Sequence, residues 1–185
     1  MSWNQFVSLN KVAPRYAIAD IEKTRQSESM KELAYKFTQH PFSWIITGKP
    51  GTGKTHFTFC LIRGLVEKFG IGIARWFKAK NLDDRIITDM KKFGSADYFI
   101  QSICETPTLF IDDFGIDRDT ERMQRDIYEI IDYRWEHNKP CIISTNLSPE
   151  ELQKLYGSRI YSRFKDYEWS IFQGEDLRGK SLQNE

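Results

Sequence analysis

Short apolar runs alternate along this chain with longer stretches in which apolar residues recur every three or four positions. The apolar runs predict five β-strands, at about residues 43–47, 71–77, 108–113, 140–145 and 169–173. The periodic stretches predict helices, at about residues 20–38, 54–68, 82–92, 95–104, 120–137 and from 148 onward. Because strands that are apolar throughout are buried on both faces, we expect an α/β fold with three layers, in which helices cover both sides of a central parallel five-stranded sheet.

Capping residues set the ends of several predicted helices. Asn81 and Ser95 are placed to cap the helices that follow them, and Gly94 is placed to end the first of these. The segment 148–151, Ser-Pro-Glu-Glu, has a serine cap, a proline in the first turn and a glutamate three residues after the cap. A helix is therefore expected to start there.

Composition and charge indicate one domain of enzyme size. The 185 residues are 40% apolar and 29% charged, which supplies enough apolar material for a single core. The net charge is +1, so a site for nucleic acid would have to be local rather than global. We expect a short lead-in over residues 1–40 and a core domain over residues 41–185.

The first residues and the cysteines favour a cytoplasmic protein without membrane contact. Polar residues interrupt the N-terminus, so no secretory leader is recognisable, and no apolar run approaches membrane-spanning length. Cys60, Cys104 and Cys141 stand far apart in apolar runs, which is typical of buried free thiols.

Residues 48–55 read Gly-Lys-Pro-Gly-Thr-Gly-Lys-Thr and fit the phosphate-binding pattern G-x-x-x-x-G-K-[ST] between a predicted strand and a predicted helix. Glycines let backbone N–H groups turn toward phosphates, and the helix adds the positive end of its dipole. Lys54 can then reach the β- and γ-phosphates of ATP, and Thr55 can ligate Mg²⁺. A glycine-rich turn that binds nothing is the alternative, but five fixed residues and both flanks argue against it. The predicted nucleotide-binding residues are Gly48, Pro50, Gly51, Thr52, Gly53, Lys54, Thr55 and His56.

Two acids, Asp112 and Asp113, end the third apolar run. Parallel strands deliver their carboxyl ends to one edge of a sheet, so this pair is expected beside the glycine loop. Asp112 is then placed to hold Mg²⁺, and Asp113 to polarise a water for attack on the γ-phosphate. The alternative is an Asx turn leading into Phe114-Gly115.

Further polar residues lie directly after the fourth strand and on the helix that comes next. Asn146 ends the run Ile142–Thr145 and can orient a water between the acids and the γ-phosphate; otherwise it is a helix-capping residue. Arg159 and Arg163 lie four residues apart and share one helix face. They can reach a phosphate on a neighbouring subunit, as an arginine finger does, or they form a solvated surface pair.

The order of these motifs resembles that of the AAA+ ATPases: Walker A at residues 48–55, Walker B at 109–113, sensor 1 at 142–146 and an arginine motif at 159–164. Their wording, above all Ile-Asp-Asp-Phe-Gly and Gly-Ser-Arg-Ile-Tyr-Ser-Arg-Phe, resembles the DnaC/DnaI-type replicative helicase loaders and the related ATPase subunits that assist transposases. The resemblance covers roughly residues 40–180.

This resemblance implies a role for each matching residue. Asn146 matches sensor 1, Arg163 matches the finger that acts on a neighbouring subunit, and Arg159 is its companion. Arg178, in the closing segment Gly-Glu-Asp-Leu-Arg-Gly-Lys, matches a second sensor. Asp113 stands where many AAA+ proteins have glutamate, which predicts slow hydrolysis.

The resemblance also implies a three-layer P-loop NTPase fold, ATP and Mg²⁺ as cofactors, and assembly into an ATP-dependent oligomer. Only about twenty residues follow Phe164, so no helical lid is expected. About forty residues precede the first strand, which is too few for the separate helicase-gripping domain of cellular loaders. Two alternatives fit that pattern: a shortened loader of the kind that a phage or mobile element encodes, or a partner site built from the short lead-in.

A basic cluster with interleaved aromatics surrounds the second strand and the helix after it: Lys78, Lys80, Lys91, Lys92 and Phe93. In the resembling family this region lines a channel for single-stranded DNA. Lysines and aromatic rings can follow a phosphate backbone and stack on bases. A solvated end of an amphipathic helix is the alternative.

Three classes of function compete. The first is an ATP-dependent loader or remodeller of a replicative ring helicase on single-stranded DNA. The second is a nucleotide-gated regulatory ATPase for transposition or phage replication. A small P-loop kinase is the third, but it would not need the acid pair, Asn146 and the paired arginines together.

Overall fold

The computed structural model of this protein describes residues 2–115 and 121–177. In it, the strands are β1 (Trp44–Gly48), β2 (Ala74–Lys78), β3 (Thr108–Phe114), β4 (Cys141–Thr145) and β5 (Glu168–Phe172). The helices are α1 (Trp3–Leu9), α2 (Pro14–Ala17), α3 (Glu28–Gln39), α4 (Lys54–Phe69), α5 (Ala79–Phe93), α6 (Asp97–Glu105), α7 (Glu121–Glu136) and α8 (Pro149–Phe164). One or two helices separate each strand from the next from β1 onward, as the apolar pattern predicts.

The five strands form one sheet in the order β2-β3-β4-β1-β5, and every neighbouring pair is parallel. This confirms the predicted fold class. Since β4 lies between β3 and β1, the carboxyl ends of these three strands meet at one edge of the sheet. In doubly wound sheets, that edge is where ligands bind.

Alternate residues of the central strands supply two separate apolar layers. Ile45, Ile111 and Ile143 face a cluster formed with α5 to α8, while Trp44 and Phe110 face one formed with α1, α3 and α4. All five side chains are at most 1% exposed. Each such burial stabilises the fold by about 1.5–3 kcal/mol relative to exposure, so the strands that carry the site are held from both sides.

The lead-in packs on the same layer as the helix that follows the glycine loop. Phe37 of α3 contacts the rings of Phe42, Trp44 and Phe110 at centroid distances of 5.3 to 6.2 Å. Tyr16 stacks on Phe59 of α4 at 4.9 Å. Residues before the first strand therefore contribute to the core around α4.

The helix predicted over residues 20–38 starts later than predicted. Ser27 caps α3 by accepting a hydrogen bond from the Met30 amide at 3.3 Å, so the helix begins at Glu28. Upstream, the Asp20 carboxylate accepts from the Glu22 amide and lies 3.6 Å from Arg63 of α4. These contacts hold residues 20–26 as turns, because side chains that bind the backbone locally compete with helix formation.

The second strand and the helix after it also differ from their predicted limits. A 3-10 turn occupies Ile71–Ile73, so β2 begins only at Ala74. Asn81 is exposed inside α5 and does not cap it, because the helix starts directly after β2 and buries Ala79 and Leu82. Tertiary packing thus extends this helix beyond its local capping signal.

The predicted cap at Ser95 is wrong by one residue. Ala96 directly precedes α6, which begins at Asp97, and the Ser95 hydroxyl accepts from the Asp97 amide at 2.9 Å.

Two other predicted helix limits are confirmed. Gly94 ends α5 with φ 77°, and Ser148 and Glu151 form a reciprocal cap at the start of α8, with bonds of 3.2 and 2.7 Å. Within α8, Gly157 has φ 76° and ψ 171°, which breaks the helix in two. The second half, from residue 158, therefore has its own direction, and it carries Arg159 and Arg163.

In the ranges that the structure describes, no helix has both the length and the apolar composition needed to cross a membrane. The three cysteines are free and buried, as their apolar surroundings predict.

Candidate nucleotide-binding site

The glycine loop connects β1 directly to α4. Gly48, Gly51 and Gly53 have φ values of 143°, 83° and 93°. Gly53 is the residue before α4 and lies in the left-handed region, which glycine adopts without the strain that a side chain would cause. Pro50 is exposed at the tip, and the Thr52 hydroxyl donates to the Lys49 carbonyl at 2.9 Å and stabilises the turn.

Lys54 lies inside this loop. Its side chain is 7% exposed, and Nζ donates to the carbonyl oxygens of Gly48 and Lys49 at 2.6 and 2.9 Å. A buried ammonium is thus enclosed by the loop whose amides the sequence predicts to bind phosphate. That charge is the strongest electrostatic reason for an anion to bind here.

Asp112 is fully buried at the end of β3 and is bound by two hydroxyl groups. Thr55, one residue after Lys54, lies 3.1 and 3.0 Å from its two carboxylate oxygens, and the Ser144 hydroxyl donates to the first of them. Burial raises the pKa of the Asp112 carboxyl above its ordinary value, although the hydrogen bonds from Ser144 and Thr55 oppose the shift. The structure therefore brings together Thr55 and Asp112, the predicted magnesium residues.

Asp113 lies in a different environment from Asp112. It has φ 56° and lies where the pairing of β3 with β4 shifts register, between Ile111 and Phe114. This irregularity turns its side chain away from the core, and the carboxylate lies 3.2 Å from Nζ of Lys78, with 40% of the side chain exposed. The Ser144 hydroxyl also accepts from the Asp113 amide at 3.3 Å.

Asn146 directly follows β4, the strand between the acid-bearing strand and the strand that leads into the glycine loop. The neighbouring backbone is fixed on both sides. Thr145 donates to the Phe114 carbonyl at 2.7 Å, and Thr47 donates to the Leu147 carbonyl at 2.6 Å. Asn146 thus lies at the edge of the sheet where β1, β3 and β4 end.

Arg159 and Arg163 contact α7 rather than the glycine loop. The Arg163 guanidinium donates from Nε to Asp132 at 2.7 Å and lies 4.4 Å from the ring centre of Trp135. Arg159 lies 4.3 Å from the ring centre of Tyr128. The structure does not bring either arginine to the loop of its own chain, as a role on a neighbouring subunit requires.

A sequence profile of the bacterial DnaA ATPase domain matches residues 23–168. The chain belongs to this family. Among curated proteins it is similar to the replicative helicase loader DnaC of Escherichia coli K12, with 25% identity over 152 residues, or 81% of this chain and 62% of the loader. The resemblance predicted from the motifs is thereby confirmed.

Two solved structures share the backbone of this DnaA-family domain. The crystal structure of the DnaC helicase loader matches with a TM-score of 0.77 at 24% identity, over 87% of this chain and 100% of that one. The replication initiator DnaA bound to AMPPCP and single-stranded DNA matches with a TM-score of 0.75 at 20% identity, over 89% and 51% of the two chains. The three-layer P-loop NTPase fold is thus shown. The chain spans 62% of the length of the first curated relatives that it matches.

The predicted DNA residues of this DnaA-family domain fall into two places. Lys78 ends β2 beside Asp113, in the candidate site. Lys80, Lys91 and Lys92 are exposed on α5, and Lys92 lies 4.9 Å from the ring centre of Phe93, which is 67% exposed. DNA contact by this set stays a prediction.

Three residues that sequence analysis missed also contact the loop or the acids. Ser144 binds both acids, and the run of small hydroxyl residues before Asn146 was the available signal. Gln26 donates to the Thr52 carbonyl at 3.4 Å, and the Leu177 amide donates to the Gly51 carbonyl at 3.0 Å. No local pattern predicts these two, because they come from segments distant in sequence. Arg178, which follows Leu177, lies outside the described residues.

His56, the last of the predicted nucleotide-binding residues, contacts a neighbour on its own helix, and its role toward nucleotide stays a prediction. Its Nδ1 lies 3.7 Å from Sγ of Cys60 one turn along α4, and burial lowers the pKa of the imidazole below its usual value. A neutral, partly buried imidazole supports the start of the helix but brings no positive charge to the loop.

The residues present fit a magnesium nucleotide. A fully buried carboxylate beside a threonine hydroxyl suits a cation that takes most of its ligands from phosphates and water. In the described ranges, no group of three or more His, Cys, Asp or Glu side chains is placed to hold a metal by itself. The chain therefore offers part of a coordination shell, and Lys54 offers the charge for the phosphates.

Proposed function

We propose that this protein binds ATP with Mg²⁺, hydrolyses it, and uses the cycle to load or remodel a replicative ring helicase on single-stranded DNA. The observation that carries the nucleotide chemistry is the link from the enclosed Lys54 through Thr55 to the buried Asp112. Membership of the DnaA ATPase domain family and similarity to a helicase loader support the cellular role.

For binding, Lys54 would exchange its two loop carbonyls for the β- and γ-phosphates. Thr55 and Asp112 would hold Mg²⁺, which neutralises phosphate charge when bound. A cation there would also favour the ionised form of Asp112, which burial disfavours. The N–H groups of the loop belong to the backbone and are already in place, so they need not move to donate to phosphate.

For hydrolysis, Asp113 is the candidate base. It would accept a proton from a water that Asn146 orients for attack on the γ-phosphate. Its ion pair with Lys78 draws the carboxylate toward β2, and aspartate is shorter than the glutamate common at this position in AAA+ proteins. Both features favour slow turnover in the isolated chain. Arg163 would complete the site from a neighbouring subunit.

The ion pair between Lys78 and Asp113 also favours a second candidate function. This is a nucleotide-gated regulatory ATPase that hydrolyses little ATP and recruits a partner for transposition or phage replication. Such a protein needs ATP to set its shape or assembly state and does not depend on fast hydrolysis. The two candidates share a site and differ in their partner.

Nucleotide-dependent capture of the replicative helicase separates these candidates. Tagged wild-type protein with ATP and Mg²⁺ should retain the purified helicase of the source organism, whereas the Lys54→Ala variant should not. Lys49→Ala, which changes an exposed lysine of the same loop, is the control. ATP binding without capture would favour the regulatory ATPase, and absence of ATP binding by wild type would exclude both.

A further inference from the structure

A cluster of side chains on α7 holds Arg163 at the surface of the molecule. Asp132 accepts from Nε at 2.7 Å, and the Trp135 ring lies 4.4 Å from the guanidinium carbon. Asp132 is in turn fixed by the Tyr128 hydroxyl, which donates to its second oxygen at 2.9 Å, and the Trp135 indole donates to Asp166 at 2.8 Å. Both contacts from α7 to Arg163 therefore come from side chains that have hydrogen bonds of their own.

The contacts follow from helix geometry. Tyr128, Asp132 and Trp135 lie four and three residues apart and thus share one face of α7, as Arg159 and Arg163 share one face of α8. The Arg163 and Asp132 side chains are 24% and 21% exposed, so their ion pair is partly shielded from water. Burial works to raise the pKa of Asp132, but the bonds from Arg163 and Tyr128 outweigh it, and the pKa lies below its usual value.

The direction of these contacts leaves one edge of the guanidinium available. Asp132 takes Nε, and Trp135 covers a face. Nη1 donates to the Ser162 hydroxyl over a longer distance of 3.3 Å, and Nη2 donates no hydrogen bond to any of the described residues. The Nη1 and Nη2 edge can bind two phosphate oxygens together. A carboxylate meant to neutralise the arginine would more commonly take two of its N–H groups.

We propose that Asp132 and Trp135 are positioning residues that hold Arg163 ready for the phosphate of a neighbouring subunit. This inference rests on the proposed function, because it assigns a role to the surroundings of the proposed finger. Holding the long side chain in one orientation before assembly removes an entropic cost from the step in which subunits meet. The alternative is that the same contacts only join α7 to α8.

Steady-state kinetics of Asp132→Ala distinguish these roles. We expect kcat to fall by about ten- to hundredfold, as misplacement of a reacting group does, with KM for ATP unchanged because the glycine loop is intact. Asp132→Glu should recover part of the loss. Glu129→Ala, an exposed acid on the same helix, is the matched control and should leave kcat unchanged. If Asp132→Ala does not fold, Asp132→Asn and Trp135→Leu provide the same comparison.

Subunit mixing provides a readout that a folding defect would not change. Excess Lys54→Ala subunits have an intact Asp132 and Arg163, so they should restore turnover at the intact loops of Asp132→Ala subunits. Lys54→Ala subunits that also carry Arg163→Ala should restore nothing.

Three results would be informative in different ways. Full activity of Asp132→Ala beside an inactive Arg163→Ala would overturn the positioning role but keep the proposed function. A faster Asp132→Ala would also overturn it, since the cluster would then hold the arginine back. Wild-type protein without turnover at any concentration would instead reject the proposed function itself.

Discussion

The glycine-loop site and the arginine cluster differ in what holds their charged groups. Lys54 and Asp112 are nearly or fully buried and are fixed by backbone carbonyls and short hydroxyl side chains at the end of a packed sheet. Arg163 is held on the surface by two side chains of a neighbouring helix. The first region depends on the core of the fold, whereas the second depends on a few contacts between α7 and α8.

This difference suggests that the two regions have separate tasks, nucleotide binding at the glycine loop and support of turnover at Arg163. A site built into the core keeps its geometry whatever the assembly state, so it can bind nucleotide in an isolated chain. A surface arginine can act only when another molecule meets it. If both belong to one catalytic site, then binding and turnover should respond differently to mutation and to protein concentration.

Arg163→Ala should have the largest effect. We expect ATP binding by the monomer to persist and turnover to fall by about three orders of magnitude or more, the usual contribution of an arginine finger. Steady-state ATPase assays over a range of protein concentrations measure this, and wild-type specific activity should rise with concentration. Arg125→Ala, which changes an exposed arginine of α7, should behave like wild type.

Mixing tests whether this arginine acts between chains. Arg163→Ala and Lys54→Ala subunits each lack a different half of the site, so together they should regain activity that neither has alone. If neither mixing nor concentration changes the rate, Arg163 acts within its own chain or has no catalytic role, and the separation of tasks is wrong.

Lys54→Ala should impair nucleotide binding at the glycine loop. Removing the enclosed ammonium should weaken ATP binding by roughly a hundredfold or more, since this charge faces the phosphates. Isothermal titration calorimetry of ATP and Mg²⁺ against wild type, Lys54→Ala and Lys49→Ala gives the comparison. Equal affinity of wild type and Lys54→Ala would reject the whole nucleotide interpretation.

The sequence predicts the buried glycine-loop site better than it predicts the contacts at the surface. Residues 48–55 combine a required spacing with glycines, and Asp112 ends a continuous apolar run, so both could be placed before the structure was known. The register shift that turns Asp113 toward Lys78 had no such signal, because it depends on how β3 pairs with β4. The sequence therefore does not predict the ion pair of Lys78 with Asp113, and contact of Lys78 with DNA stays a prediction.

The arginine cluster was only half predictable. The spacing of Arg159 and Arg163 showed that they share a helix face, but which helix they meet depends on the packing of α7 against α8 and on the break at Gly157. Similarly, Asn81 has a helix-capping composition, yet burial of Ala79 and Leu82 extends α5 past it. Local patterns fail where long-range packing determines the outcome.

Asp112→Asn tests how much the buried negative charge of Asp112 lowers the free energy of unfolding. Burial raises the pKa of Asp112, so the folded state binds its proton more tightly than the unfolded chain does. Its contribution to stability is therefore present at low pH and is lost as pH rises through the folded pKa. At pH 7–8 without nucleotide, Asp112→Asn should have a higher free energy of unfolding than wild type, and this gain should shrink as pH falls through the raised folded pKa toward the ordinary Asp pKa of 3.8.

Urea unfolding of both proteins across this pH range measures the difference. Asp113→Asn, which removes the charge of a side chain that is 40% exposed and paired with Lys78, is the control and should not show the same gain. A difference between Asp112→Asn and wild type that does not change with pH would mean that hydrogen bonding, rather than ionisation, sets the cost.

The smallest expected effect concerns the lysines of α5, which belong to neither half of the catalytic site. Lys80, Lys91 and Lys92 are exposed on one helix whose end carries the exposed ring of Phe93. If they follow a phosphate backbone, replacing all three with Ala should weaken single-stranded DNA binding and lower the salt slope by about 2, since each contact to a single strand contributes roughly 0.7. Fluorescence anisotropy with a labelled oligonucleotide at several salt concentrations measures both.

The control is a triple variant with the same change in charge, in which three exposed lysines of the lead-in are replaced with Ala: Lys11, Lys23 and Lys36. An equal loss in both variants would indicate a general charge effect, and an unchanged slope in the α5 variant would mean that these lysines form only a solvated helix end.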